Sequence, residues 1–203
     1  MKSRCKLLVL LMFSALALIP ALAQTAGPPT AGVDAALLAK ASAGDAASQV
    51  LVADSYADGK GVARDPRQLA ADYKQAAAWY RKAADQGHVG AQVHLAELYR
   101  DGKGVARDMA QAAAWYRKAA ELGDAGAQGT LGVLYSMGQG VPHDDVEAYY
   151  WLDLAAAVKG PKQEQYAGNR QNVGTRITAD ELAQVQERVA DWLAAHPRPD
   201  TAP

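Results

Sequence analysis

Two phrases of the sequence each occur twice, and their spacing constrains the fold more than any other feature. DGKGVARD stands at 58–65 and recurs 43 residues later, whereas AAAWYRKAA stands at 76–84 and recurs 36 residues later. Aligning the glycines reveals a third, more divergent copy, so that three units occupy 44–86, 87–122 and 123–158. A tandem repeat of this length predicts a fold in which each unit buries its apolar face against its neighbours.

Each unit carries the signals of two helices joined by a tight turn. In the second unit, Ala91, Leu95 and Leu98 have the spacing of one face of a helix. The first helix then ends at a glycine that can take the left-handed conformation of a C-cap, namely Gly59, Gly102 or Gly138. The second helix begins with a variant of the capping box, in the pairs Asp65 and Gln68, Asp108 and Gln111, and Asp144 and Glu147.

The second helix of every unit combines small alanines with one tryptophan. The tryptophans are Trp79, Trp115 and Trp151, and each has an alanine four residues later on the same face. We expect the alanines to let neighbouring helices approach closely and each tryptophan to fill the resulting seam. These patterns predict an all-α protein, a right-handed α-solenoid of three helix-turn-helix units with capping helices at its ends.

The first unit is longer than the others because DPRQLAA is followed by the near duplicate DYKQAAA. Seven residues make about two helical turns and rotate the buried face by only about 20°. Since no Gly or Pro lies between Arg67 and Gln86, we expect one helix that is about 10 Å longer than its counterparts. The alternative is a new helix that starts at Asp72, because Asp72 and Gln75 repeat the capping pattern.

Shorter elements flank the repeats within a solenoid domain that we place at 33–196. Residues 33–43 are predicted to form a half unit that covers the first repeat, and residues 162–196 are predicted to form C-terminal capping helices. Thr178 and Glu181 form a capping box, and the helix that follows has one apolar face, made by Leu182, Val185, Val189, Trp192 and Leu193. The Pro-containing segments 24–32 and 197–203 are predicted to be a disordered linker and tail.

The first 23 residues have the pattern of a secretory signal peptide. Lys2, Arg4 and Lys6 precede a run of about 13 apolar residues, and Ala21-Leu22-Ala23 has the small-x-small form of a cleavage site. The run is short for a permanent membrane span, which needs roughly 20 residues. We therefore expect cleavage between Ala23 and Gln24 and a periplasmic or secreted protein; an uncleaved membrane anchor is the alternative.

Removal of that segment changes the charge and leaves no thiol. The mature chain would keep 18 of its 21 basic residues and all 22 acidic ones, a formal charge of −4, and would lose Cys5, its only cysteine. This balance gives no electrostatic basis for binding nucleic acid or an anionic membrane surface. The loss of Cys5 excludes disulfides, cysteine nucleophiles and cysteine metal ligands in the mature chain. We expect no nucleic-acid partner, and no membrane insertion once the signal is removed.

The repeat resembles a known bacterial family. The pattern A-x-x-x-L-x-x-x-Y-x-x-G-x-G-V-x-x-D, followed by A-x-x-W-Y-x-K-A-A-x-x-G, spans Ala91 to Gly123 and is similar to the Sel-like repeat, a relative of the tetratricopeptide repeat. The resemblance covers 44–158 and is strongest in the second unit. The outer units depart from the pattern at Ser55, Met137, Pro142 and Leu152.

Motifs for catalysis or metal binding are absent from the predicted mature sequence. It contains no G-x-S-x-G, H-E-x-x-H or phosphate-binding G-x-x-x-x-G-K-[ST]. His143, Asp144 and Asp145 allow a metal site, but a loop that ends in a helix cap explains them better. We therefore predict no enzymatic activity, no metal and no cofactor.

The resemblance to tetratricopeptide relatives implies a binding surface on the concave wall, made by first-helix positions that face away from the second helix. The residues that it implies are Asp54, Val93, His94, Glu97, Arg100, Asp101, Thr130, Val133 and Met137, together with Val50, Leu51 and Gly129. This mixture of charged and small apolar residues suits a peptide or a protein segment laid along the groove. Ordinary solvated helix surface is the alternative for each residue.

We expect a monomeric scaffold or regulator in the bacterial cell envelope that binds another protein or peptide. The alternative from another class is an enzyme, or an accessory subunit of one, that acts on cell-wall material. Its only visible basis would be converging carboxylates at Asp54 and Glu97.

Overall fold

The computed structural model describes residues 33–58 and 66–197. Several predictions concern residues outside these ranges: the signal peptide, the linker 24–32, the tail beyond Pro197, the cap at Gly59 and the capping box at Asp65. They remain predictions.

The described residues form α-helices and no β-strand, as the sequence predicts. The helices are α1 (Ala35–Ser42), α2 (Ala46–Asp58), α3 (Pro66–Asp85), α4 (Val89–Asp101), α5 (Met109–Glu121), α6 (Ala125–Met137), α7 (Asp145–Ala156), α8 (Gln163–Gly174) and α9 (Ala179–Ala195).

Each repeat is a helix-turn-helix unit that packs on the next. Helices α2 and α3 form the first unit, α4 and α5 the second, and α6 and α7 the third, and contacts between α3 and α4 and between α5 and α6 join the units. Helix α1 packs on α2 at one end, and α8 and α9 pack on α7 at the other. The protein is therefore an α-solenoid with helical caps, as predicted.

The core combines alanines at the helix crossings with larger side chains between them. Leu95, Leu131 and Leu152 are fully buried, and Ala91, Ala112, Ala127 and Ala148 are inaccessible at the crossings. Trp115 and Trp151 are each 4% exposed and fill their seams as predicted.

The prediction was wrong for Trp79, which is only half-buried. The Trp115 ring is covered by Arg81 from the second helix of the preceding unit, at 5.6 Å. Within the residues that the structure describes, only α1, a helix of eight residues, precedes the first unit. In that part of the chain, position 79 therefore has no complete unit on its preceding side.

The duplicated segment lengthens one helix, as predicted, and Asp72 does not start a new one. Helix α3 has 20 residues, whereas α5 has 13. A β-carbon on Gly104, in the loop of the second unit, would lie 2.2 Å from the carbonyl carbon of Tyr73. The equivalent contact of Gly140 is with Met109, the first residue of α5. The residues before Tyr73 therefore extend α3 beyond the point where the next unit packs.

The caps of the helices agree only partly with the predictions. Gly102 and Gly138 are left-handed C-caps with φ of 70° and 63°, and the Asp108 carboxylate accepts from the amide of Gln111 at 3.0 Å. The prediction of capping boxes at Asp108 and Asp144 was wrong in one respect. The backbone amides of these two aspartates donate to the carbonyl oxygens of Tyr99 and Tyr135, and not to the side chains three residues on. The preceding helix thus supplies the acceptor. The box of Thr178 and Glu181 is complete.

Candidate functional site

A cleft of about 350 Å³ lies between the first two units, where the ends of α2 and α4 meet α3. It is lined by charged, aromatic and apolar side chains: Ala57, Asp58, Tyr73, Tyr80, His94, Glu97, Leu98, Arg100, Asp101 and Lys103. A cleft of this size can hold one side chain or a short stretch of a partner chain.

Tyr80 forms the floor of the cleft. It is 3% exposed, and its hydroxyl donates a hydrogen bond to Oδ1 of Asp54 at 2.5 Å. Burial raises the pKa of Tyr80 well above its usual range, and the hydrogen bond to Asp54 adds to the rise. The phenol therefore stays protonated, and it positions the Asp54 carboxylate beside the cleft.

His94 and Glu97 form a pair on the α4 wall. Nδ1 of His94 lies 3.2 Å from Oε2 of Glu97, and the His94 ring lies 5.1 Å from the Tyr80 ring. The hydrogen bond to Glu97 raises the pKa of His94, and the same bond lowers the pKa of Glu97. Each partner thus favours the charged form of the other.

Two cations at the edge of the cleft are held by one carboxylate. Asp101 accepts from Nε of Arg100 at 2.8 Å and lies 3.2 Å from Nζ of Lys103. The hydrogen bond from Arg100 lowers the pKa of Asp101. Arg100 also donates to the hydroxyl of Tyr116 at 3.2 Å, and burial raises the pKa of Tyr116 to about 12.

The sequence profile of the Sel1 repeat family matches residues 46–88, 89–124 and 125–157, which is more than half of the chain. The chain belongs to the Sel1 repeat family. The three matches correspond to the three units of the solenoid, in agreement with the resemblance to Sel-like repeats. Repeats of this family are in general protein-interaction modules and are typically non-catalytic.

Solved structures of bacterial Sel1 repeat proteins share the fold. One is c5321, a protective antigen of uropathogenic Escherichia coli strains, which is 30% identical over 78% of this chain and 40% of its own, with a TM-score of 0.55. Another is a Sel1 repeat protein of Oxalobacter formigenes, which is 34% identical over 60% of this chain and 47% of its own, with a TM-score of 0.53. This chain thus spans less than half the length of either structure. No curated protein matches it.

The cleft between the first two Sel1 repeats brings together four of the residues that the resemblance implied. His94, Glu97, Arg100 and Asp101 line it. Asp54 is linked to it through the hydroxyl of Tyr80.

The remaining implied residues lie elsewhere on the Sel1 repeats. Val50, Val93 and Val133 are partly buried against the core, and Thr130 donates to the carbonyl of Gly126 within α6 at 2.8 Å. Leu51 and Met137 are 53% and 59% exposed.

Gly129 does not belong to an open wall. It is buried under α8, and a β-carbon there would lie 2.2 Å from the ring of Tyr166. The capping helix α8 therefore occupies this position of the third Sel1 repeat, and the prediction for Gly129 was wrong.

The sequence analysis missed the side of the cleft that α2 and α3 form, namely Ala57, Asp58, Tyr73 and Tyr80, and it also missed Leu98 and Lys103. Tyr80 lies in the repeated phrase AAAWYRKAA and Tyr73 in the duplicated segment. The signal that could have found the cleft is a difference between Sel1 repeats: Ala57 stands where the second repeat has Arg100.

The histidine and aspartates suggested as an alternative metal site have structural contacts. Asp144 accepts from the amide of Glu147 at 2.9 Å, and Asp145 pairs with His143 at 3.4 Å and with Arg176 at 2.5 Å. Within the ranges that the structure describes, no three His, Cys, Asp or Glu side chains form a group that could hold a metal ion. In the same ranges, no helix is both long and apolar enough to cross a membrane.

Proposed function

We propose that this Sel1 repeat chain is a protein-interaction module of the bacterial cell envelope. Its ligand is a peptide or a segment of another protein, laid along the groove made by the first helices of the repeats. The cleft at Tyr80 is the centre of that groove. The observation that carries this proposal is the convergence of charged and aromatic side chains from α2, α3 and α4 on one cleft of about 350 Å³.

The groove positions change in chemistry from the first Sel1 repeat to the third. Asp54 and Glu97 occupy the same place in the first two repeats, and the third repeat has Val133 there. His94 and Asp101 correspond in the same way to Thr130 and Met137. An extended ligand would therefore meet charged groups near the cleft and uncharged ones beyond it, which gives it a preferred direction.

The envelope location is supported by the first 23 residues of the sequence. A basic start, an apolar run of about 13 residues and the small-x-small triplet at Ala21 are the features by which export machinery recognises a secretory protein. One relative of known structure is a bacterial protective antigen.

The contacts of the two carboxylates favour binding over catalysis. Asp54 accepts a hydrogen bond from Tyr80, and Glu97 is paired with His94, which lowers the pKa of Glu97. A general acid at neutral pH needs a raised pKa. This geometry gives no support to the alternative of an enzyme acting on cell-wall material.

Capture from envelope extract tests the proposal. The chain with a C-terminal affinity tag is expressed in its own bacterium, and proteins crosslinked to it are identified by mass spectrometry. We expect the chain in the envelope fraction and one or a few specific partners. Replacement of both His94 and Glu97 by Ala should abolish their capture.

The control replaces His143 and Glu121 by Ala, because these exposed residues have the same chemistry but lie outside the cleft. The control should capture the same partners as the wild type. Equal capture by the cleft variant would exclude the cleft as the centre of binding. Recovery of the chain from the cytoplasm would contradict the envelope location.

A further inference from the structure

Arg100 shows how the second Sel1 repeat holds a guanidinium group in its own groove. Nε donates to Asp101 at 2.8 Å, and the other end of the group donates to the hydroxyl of Tyr116 at 3.2 Å. The hydrogen bond to Asp101 raises the pKa of Arg100, and the negative charge of Glu97 adds to the rise. Two carboxylates and a buried phenol thus surround one arginine.

The first repeat has the same surroundings without the arginine. An offset of 43 residues relates Asp58 to Asp101 and Asp54 to Glu97, and an offset of 36 relates Tyr80 to Tyr116. The position of Arg100 itself is taken by Ala57. The first repeat therefore combines two carboxylates and a buried phenol with a methyl group where its neighbour has a guanidinium.

The cleft opens at this substitution. Ala57, Asp58 and Tyr80 line it on one side, and His94 and Glu97 on the other. Tyr73 adds an aromatic face from the duplicated part of α3 and lies 5.8 Å from the ammonium group of Lys103, so its ring is already near one cation.

The charge of the cleft favours a cationic ligand. Arg100 and Lys103 are both paired with Asp101. Among the lining residues that the structure describes, the carboxylates at 58, 97 and 101 outnumber these two cations, and Tyr80 links the Asp54 carboxylate to the cleft. Guanidinium fits better than ammonium, because its planar fork can reach a carboxylate and a phenol together, as Arg100 does.

We infer that the cleft between the first two Sel1 repeats binds an arginine side chain of a partner protein. The partner's guanidinium takes the place beside Tyr80 that Arg100 takes beside Tyr116. This inference rests on the proposed function as a protein-interaction module and specifies what the groove recognises.

Binding of a defined peptide to the purified chain tests the inference. The probe is the capped tripeptide Ala-Arg-Ala, and the matched control has citrulline, which has nearly the shape of arginine but no charge. We expect the arginine peptide to shift the amide NMR signals of Ala57 and Asp58 saturably. The citrulline peptide should bind at least about tenfold more weakly, because it lacks the charge-assisted hydrogen bonds.

A protein variant supplies the reciprocal test. Ala57→Arg should place a guanidinium of the chain itself in the cleft, raise the melting temperature slightly and abolish binding of the arginine peptide. The control, Ala47→Arg, adds the same charge at an exposed position of α2 that does not line the cleft, and it should keep the wild-type affinity.

Equal affinity for the arginine and citrulline peptides would overturn the inference, as would no saturable shift with the arginine peptide. Wild-type affinity in a folded Ala57→Arg variant would also overturn it. If that variant does not fold, the citrulline comparison decides. Capture of envelope partners that depends on His94 and Glu97 would still stand in any of these cases, so the two proposals fail separately.

Discussion

The side-chain amide of Gln92 donates to the carbonyl oxygen of Ala84 at 3.3 Å and so ties α4 to the end of α3. The same bond recurs at each start of a first helix, from Gln49 to Ala41 at 3.1 Å and from Gln128 to Ala120 at 3.0 Å. These glutamines are buried. Each therefore satisfies a carbonyl at the end of the preceding helix, where water is excluded.

The hydrogen-bond partner of the glutamine side-chain oxygen differs between repeats. Oε1 of Gln49 accepts from the side chain of Gln86 at 2.8 Å. In the second repeat the residue that corresponds to Gln86 is Leu122, which cannot donate. Oε1 of Gln92 is buried and accepts no hydrogen bond from any residue that the structure describes.

We expect Leu122→Gln to stabilise the protein by about 1 kcal/mol, because it gives Oε1 of Gln92 the donor that Gln49 already has. Leu122 is 56% exposed, so its replacement costs little buried apolar area. Urea unfolding measures the change. Leu122→Met is the control without a donor and should be neutral, and in a Gln92→Leu background Leu122→Gln should lose its effect.

The loop glycines give a second prediction about packing between repeats. Gly104 has φ of +69°, and an added β-carbon would lie 2.2 Å from the backbone of Tyr73. Gly87 has φ of +85° but nothing within 4 Å of its β-carbon position. Gly87→Ala should therefore cost only the backbone strain, roughly 1–2 kcal/mol. Gly104→Ala should cost several kcal/mol more or prevent folding, as thermal unfolding would show; equal losses would contradict the close contact.

The features that the sequence predicts correctly are those set by residues close together along the chain. Gly102 as a C-cap and Thr178 with Glu181 as a capping box follow from local signals, and the structure confirms them. The single long helix α3 also follows locally, from helical periodicity and the absence of a breaker after Arg67.

The errors concern contacts between elements. Gly129 lies under Tyr166, which is 37 positions away and belongs to the cap rather than to a repeat. Likewise, the amide of Asp108 bonds to Tyr99 across the loop instead of to the residue three positions on. Such partners depend on how helices pack, which the periodicity of one segment does not specify. The α2 and α3 side of the cleft was missed because it depends on how two repeats differ, with Ala57 in the first repeat where the second has Arg100.

Trp115 is a core residue of the second unit. It is 4% exposed, and its ring lies 5.6 Å from the Arg81 guanidinium and 3.7 Å from the Lys118 ammonium group. We expect Trp115→Ala to cost roughly 3–5 kcal/mol, because it leaves a large cavity at the centre of the solenoid. The control is Trp79→Ala, which removes the same side chain from the half-buried position in the first unit and should cost clearly less. Chemical denaturation that gave equal losses would contradict the difference in burial.

The pair of His94 and Glu97 predicts a small dependence of stability on pH. The folded pKa of His94 lies above its ordinary 6.5, so its contribution is complete below that pH and is lost as pH rises through the folded value. The folded pKa of Glu97 lies below its ordinary 4.5, so its contribution is complete above that pH and is lost as pH falls through the folded value. The pair should therefore stabilise the protein most between pH 4.5 and 6.5.

We expect the contribution of this pair to decrease between pH 6 and pH 9 by less than about 1 kcal/mol, because the side chains are 46% and 43% exposed. Glu97→Gln should remove most of this decrease and lower the pKa of His94, because the hydrogen bond to Glu97 is the largest cause of its rise and burial acts in the opposite direction to Asp54 and Asp58 in α2. NMR titration of the His94 ring and urea unfolding at both pH values measure the two effects. His143→Gln is the control, since it removes an exposed histidine outside the cleft and should leave the titration of His94 unchanged. If His94 titrates at or below its ordinary value in the wild type, Glu97 is not its partner in solution, and the charge pattern assigned to the α4 wall is wrong.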